Sequence, residues 1–104
     1  MQFLLMGYDG TDEGALERRL AAREDHLKLF RERVDQGKFL FGSALLNDDG
    51  KMIGSMIICE FPSREALDEE WLKHEPYMLG SVWKRVEVTR TQVPPFLLER
   101  RSQG

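Results

Sequence analysis

Residues able to move a proton gather in one stretch, Arg18-Arg19-Leu20-Ala21-Ala22-Arg23-Glu24-Asp25-His26-Leu27, which carries one of the chain's two histidines. Imidazole is the side chain whose protonation ordinarily changes near neutrality. Cations beside an imidazole favour the neutral form that acts as a base, whereas an anionic partner favours the charged form. His26 has Arg19 and Arg23 within its own run, and its competing role is a helix histidine making a single hydrogen bond. Arg23 offers a planar, two-pronged donor for a carboxylate or phenolate; its competing role is a salt bridge to an acid on another element. Glu75 stands immediately before Pro76, where a carboxylate would cap a short helical turn and meet the positive end of its dipole. His74 beside it reads as a solvated helix-end residue.

The remaining chemistry is thin. Cys59 and two distant histidines have no metal-ligand spacing, so no metal is expected. No phosphate loop, dinucleotide fingerprint or serine-nucleophile motif occurs, and no cofactor is expected. Trp71, Trp83 and Tyr77 suit a core or an interface more readily than a ligand stack. The single Cys59 lies within an apolar run, which excludes an internal disulfide and reads as a small buried hydrophobe.

A long helix must carry the Arg/His stretch. On a helical wheel from Leu16 to Val34, Leu16, Leu20, Leu27, Phe30 and Val34 share one stripe, with Arg23 set among them. His26 falls on one border of that stripe with Arg19 and Arg33, and the acids Glu13, Glu17, Glu24 and Asp35 on the other. The spacing therefore predicts a polar site at the helix–core boundary, with Arg23 as the ion on the buried stripe. Thr11 or Asp12 is the expected cap, after a turn at Asp9-Gly10-Thr11-Asp12, and Gly37 the expected left-handed stop.

The other elements read as strands around two helices. Gln2 to Tyr8, Lys38 to Leu46 and Lys51 to Phe61 are strands with apolar residues on both faces. Asn47-Asp48-Asp49-Gly50 is a hairpin turn, and Gly54 marks a bulge or a close approach to the backbone. Ser63 caps a second helix that buries Ala66, Leu67 and Trp71 and ends by about His74; Val82 to Gln92 is the last strand. The order strand–helix–strand–strand–helix–strand predicts an α+β, ferredoxin-like fold: a four-stranded antiparallel sheet with both helices on one face. Residues 1–95 form that domain, and 96–104 are a tail with apolar Phe96, Leu97 and Leu98 before a basic end. Two helices cover one face only, so the second apolar face is expected to be covered by a second copy, giving a homodimer through the sheet.

At 104 residues and 41% hydrophobic the chain allows one modest core. A formal charge of -3 offers nucleic acid or an anionic membrane no general attraction. The start lacks a signal-peptide pattern and no apolar run is long enough for a membrane span, so a cytoplasmic protein is expected.

In Arg19-Leu20-Ala21, Arg23, His26-Leu27, Gly37, Gly42, Gly54, Glu75-Pro76-Tyr77 and the Val86/Val88 strand, the chain resembles the YciI-like proteins of the dimeric α/β-barrel superfamily over nearly its whole length. The resemblance implies a histidine–acid pair in a pocket between helix and sheet, falling here on His26 and Glu75. The family's acid is Asp in an Asp-Pro-Tyr triplet, so Glu75 departs from the pattern by one methylene. The function so implied is that of a small cofactor-independent enzyme. Its His-Glu pair would perform acid/base chemistry, isomerisation or elimination, on an aromatic or lactone-like small molecule. Arg23, Arg19 and Tyr77 would bind the substrate. The alternative is a non-catalytic dimeric module that binds a small molecule or mediates association.

Overall fold

A computed structural model describes the backbone of residues 1–103 and the side chains of residues 1–99. The strands are β1 (Gln2–Asp9), β2 (Phe39–Leu46), β3 (Met52–Glu60) and β4 (Trp83–Thr91). The helices are α1 (Ala15–Asp35), α2 (Arg64–Glu70), α3 (Pro76–Leu79) and α4 (Pro95–Gln103), with a 3₁₀ turn at Leu72–His74 between α2 and α3. All strand pairs are antiparallel, in the order β2-β3-β1-β4. The fold is α+β and ferredoxin-like, as the element order predicts.

Register sorts the side chains onto two faces. Phe3, Leu5, Ile57, Cys59 and Phe39 point one way and join Leu67, Trp71, Leu72, Tyr77 and Trp83 in the core beneath the helices. Burial pushes the Cys59 thiol up to about 12, so it packs as an inert hydrophobe. The opposite face presents Leu4, Met6 and Tyr8 beside Met56 and Ile58, all half-buried. None of α1, α2 or α3 covers it.

The turn chemistry follows the expected residues. Asn47 Oδ1 accepts the amides of Asp49 and Lys51 at 3.0 Å each, and Gly50 turns the β2–β3 hairpin with φ +81°. Ser63 Oγ caps α2 by accepting the Ala66 amide at 3.0 Å. Gly37, with φ +75°, closes α1: its amide donates to Val34 O at 2.9 Å and that of Lys38 to Arg33 O at 2.8 Å. Gly54 answers to both of its expected roles. The β2–β3 register slips beside it, and a Cβ there would lie 2.6 Å from Gly7 O of β1.

Four expectations require correction. Neither Thr11 nor Asp12 caps α1. Gly14 occupies the cap without a side-chain bond, while both Asp12 oxygens take Arg18 Nη atoms at 2.7 Å, which holds the Asp12 carboxyl below the usual carboxylate range. Asp9 is the last residue of β1 and buried, not part of an open turn. Residues from Pro95 form helix α4 where only a tail was expected; Gly104 and the side chains of the basic end lie outside the described residues. Most consequentially, the buried face of α1 is turned by one residue from the apolar stripe. Arg19 and His26 are its buried residues, flanked by half-buried Ala22, Leu29 and Phe30, whereas Leu20 is 54% exposed and Arg23 is exposed.

Candidate active site

The rotation of α1 sets His26 against the short helix that Glu75 begins. Pro76 holds the first position of α3, where its missing amide donor costs nothing, and Glu75 takes the cap with an extended backbone. Its carboxylate turns back onto its own helix, Oε1 accepting the Tyr77 amide at 3.2 Å. Capping alone would leave the second oxygen free. Instead Trp71, four residues earlier at the end of α2, donates Nε1–H to Oε2 at 2.7 Å, and His26 Nδ1 bonds Oε1 across from α1.

Glu75 is 0% exposed and His26 6%, so this pairing is shut away from water. Three donors converge on one carboxylate, which can only accept when ionised. With the carboxylate ionised, the proton of the shared bond sits on His26 Nδ1 and the open lone pair of the ring falls on Nε2. The extra methylene of glutamate does not carry its carboxylate out of reach of the imidazole.

Tyr77 fixes the ring plane. Its phenol ring stacks on the imidazole at 3.9 Å and 10°, and Trp83 meets the imidazole edge-on at 6.2 Å. The Arg19 guanidinium lies 4.7 Å from the centre of the Tyr77 ring. Burial pushes the Tyr77 phenol above its usual range, against the pull of Arg19 and Arg23, so it remains a neutral donor.

Arg19 and Arg23, paired in the sequence reading, have different surroundings. Arg19 is 3% exposed and bound by the sheet: Nη1 donates to both Asp9 oxygens at 3.0 and 3.2 Å, and Nη2 to Ser55 Oγ at 2.9 Å. Ser55 Oγ also accepts Trp83 Nε1–H at 3.2 Å, joining α1, β1, β3 and β4. Burial pushes the Asp9 carboxyl above its usual range, with Arg19 pulling it back. Arg23, by contrast, has no ion-pair or hydrogen-bond partner among the described residues. The salt bridge that was its competing role is absent among those residues.

A cavity of about 220 Å³ opens between α1 and the β2–β3 hairpin. Arg19, Arg23, His26 and Tyr77 line its polar side, and Leu27, Phe30, Met52, Met56 and Ile57 its apolar side. A pocket with one apolar wall, a few convergent polar groups and an imidazole is the arrangement of a small-ligand site. Among the described residues no group of three or more His, Cys, Asp or Glu side chains could hold a metal ion, and no helix is long and apolar enough to cross a membrane.

The structure thus brings His26, Glu75, Tyr77 and Arg19 into one cluster and leaves Arg23 at the cavity without an ion-pair or hydrogen-bond partner among the described residues. Trp71, Asp9, Ser55 and Phe30 were not singled out for the site from sequence. The four-residue spacing of Trp71 and Glu75 was visible, but it spans the break between α2 and α3, where helical periodicity no longer indicates contact. Nothing local marks Asp9 or Ser55, which meet Arg19 only through strand register.

Residues 1–92 match the model of the YCII-related domain. No curated protein matches the sequence. Among solved structures, the chain resembles 5-chloro-2-hydroxyhydroquinone dehydrochlorinase from Burkholderia phenoliruptrix AC1100, in complex with 2,5-dihydroxybenzoquinone, with TM-score 0.75 and 23% identity over 92% of this chain and 98% of that one. An antibiotic biosynthesis monooxygenase aligns with TM-score 0.54 and 15% identity over 89% of this chain and 98% of the other. At these identities both likenesses are of fold.

Proposed function

The chain belongs to the YCII-related domain family, and from that premise we propose that it is a small enzyme whose His26–Glu75 pair transfers a proton on an aromatic or lactone-like substrate. The observation that carries the reading is the triple anchoring of Glu75, by His26 Nδ1, the Trp71 indole and the Tyr77 amide. A carboxylate so held orients an imidazole and offsets the charge it gains on accepting a proton, the part an acid plays beside a catalytic histidine.

His26 Nε2 takes a proton from the substrate ring, and the electron pair of the broken bond moves into the conjugated system. Return of the proton at another ring position completes an isomerisation; departure of a leaving group with its electron pair completes an elimination. Arg23, with no ion-pair or hydrogen-bond partner among the described residues, and the Tyr77 phenol hold the oxygen on which negative charge grows, with the buried Arg19 cation close behind. The solved relative with 2,5-dihydroxybenzoquinone bound supports a one-ring hydroxyquinone among the candidates. The reading includes a homodimer through the open sheet face, supported by the half-buried apolar row of Leu4, Met6, Met56 and Ile58.

Turnover of a panel of hydroxyquinones, their chlorinated forms and lactones by the parent protein and His26→Ala tests the proposal. Loss of at least about 100-fold in the variant is expected for a general acid/base. Equal rates in the two proteins would remove His26 from the chemistry.

A further inference from the structure

We infer that Phe30, seated on the bare backbone of Gly42, sets the size of ligand that the His26 cavity takes and limits it to a single-ring oxyanion; the inference rests on the reading of that cavity as the ligand site. At about 220 Å³ the cavity lies below the roughly 300–1,000 Å³ of pockets for drug-sized ligands. One ring with its oxygen at Arg23 and a reacting atom at His26 engages the polar side of that space, so the bulk of any larger ligand falls against the apolar wall that Phe30 belongs to.

Phe30 is the wall that cannot give way. It meets His26 edge-on at 5.9 Å and packs behind against Phe39 at 4.9 Å, and Phe39 is itself in the core. Beneath it lies Gly42, where a Cβ would come within 2.5 Å of the Phe30 ring. The φ of Gly42 is not in the left-handed region, so glycine is required here for space and not for backbone conformation. Met52, another lining residue, is a flexible side chain that adapts to a ligand's outline. Phe30 is boxed in by Phe39, Gly42 and His26, so a ligand extended by a second fused ring meets a surface that has nowhere to retreat.

Benzoate and 2-naphthoate are suitable probes, one ring against two with the same carboxylate. Their binding is followed by amide chemical-shift titration of the wild type, Phe30→Ala, Phe30→Leu and Gly42→Ala, each first checked for a cooperative melt. The wild type is expected to favour benzoate by about tenfold or more, the scale on which a pocket wall discriminates. Phe30→Ala should erase that preference, and Phe30→Leu, the variant that keeps the core filled if the alanine does not fold, should narrow it. Gly42→Ala forces Phe30 into the cavity and should weaken benzoate itself. Equal affinity of the wild type for both acids, or an unchanged ratio in the Phe30 variants, overturns the inference while leaving the cavity as a ligand site. Failure of the wild type to bind either acid overturns the underlying reading of the cavity, and the inference falls with it.

Discussion

Glu75 holds three hydrogen-bond partners, each from a different place: α1, the end of α2 and its own helix. Removing one donor therefore strands a buried acceptor. Trp71→Phe keeps most of the aromatic packing against Phe39 and Phe61 but deletes the bond to Oε2, and should destabilise the fold by about 1–3 kcal/mol. Urea denaturation should show a lower midpoint at unchanged slope. In Trp71→Phe/Glu75→Leu the two costs should be less than additive, because the bond is already lost in either single variant. His26 and Arg19 were legible as candidates from their residue types and spacing, and Glu75 from its place before Pro76. That His26 and Glu75 meet came from the family resemblance, since sequence separation of 49 residues carries no distance. Trp71 was legible only as an apolar residue, because its indole N–H acts through a bend between helices that no periodicity describes.

At the scale of elements, α1 shows why the helix itself was legible and its orientation was not. Its length and its stop at Gly37 follow from the sequence, yet the wheel centred on leucine put Arg23 on the buried face and His26 on a border. The structure buries the border instead, because Asp9, Ser55, Glu75 and Tyr77 supply polar partners that make Arg19 and His26 tolerable inside. Local rules of amphipathicity fail where a site is built. The turn from α3 into β4 carries a second departure: Ser81 has φ 57°, a left-handed conformation that costs a residue with a Cβ roughly 1–2 kcal/mol. Ser81→Gly should raise stability by about 0.5–1 kcal/mol after the entropy glycine adds to the unfolded chain, and Ser81→Val should lower it. Thermal melts of the three proteins check both signs.

At the scale of the molecule, the four-stranded sheet was legible because each strand had its own apolar alternation and turn residues, and the order of elements left few ways to connect them. The two-faced strands also carried the expectation of a partner copy. None of α1, α2 and α3 covers the second face of the sheet, and Phe96, at 60% exposure on α4, adds further exposed apolar surface. Sedimentation equilibrium should therefore give a dimer at micromolar concentration, and Ile58→Lys, which places a charge among Leu4 and Phe41 on the open face, should shift it to monomer. A stable wild-type monomer would contradict the proposed assembly.

The measurement that bears most directly on the central claim is the ¹⁵N spectrum of the His26 imidazole near neutral pH, with and without 2,5-dihydroxybenzoquinone. The hydrogen bond to Glu75 predicts a protonated Nδ1 and a lone pair on Nε2, with the Nε2 resonance moving as the quinone is added. A proton fixed on Nε2, or an Nε2 signal indifferent to the quinone while other cavity residues respond, would contradict the account.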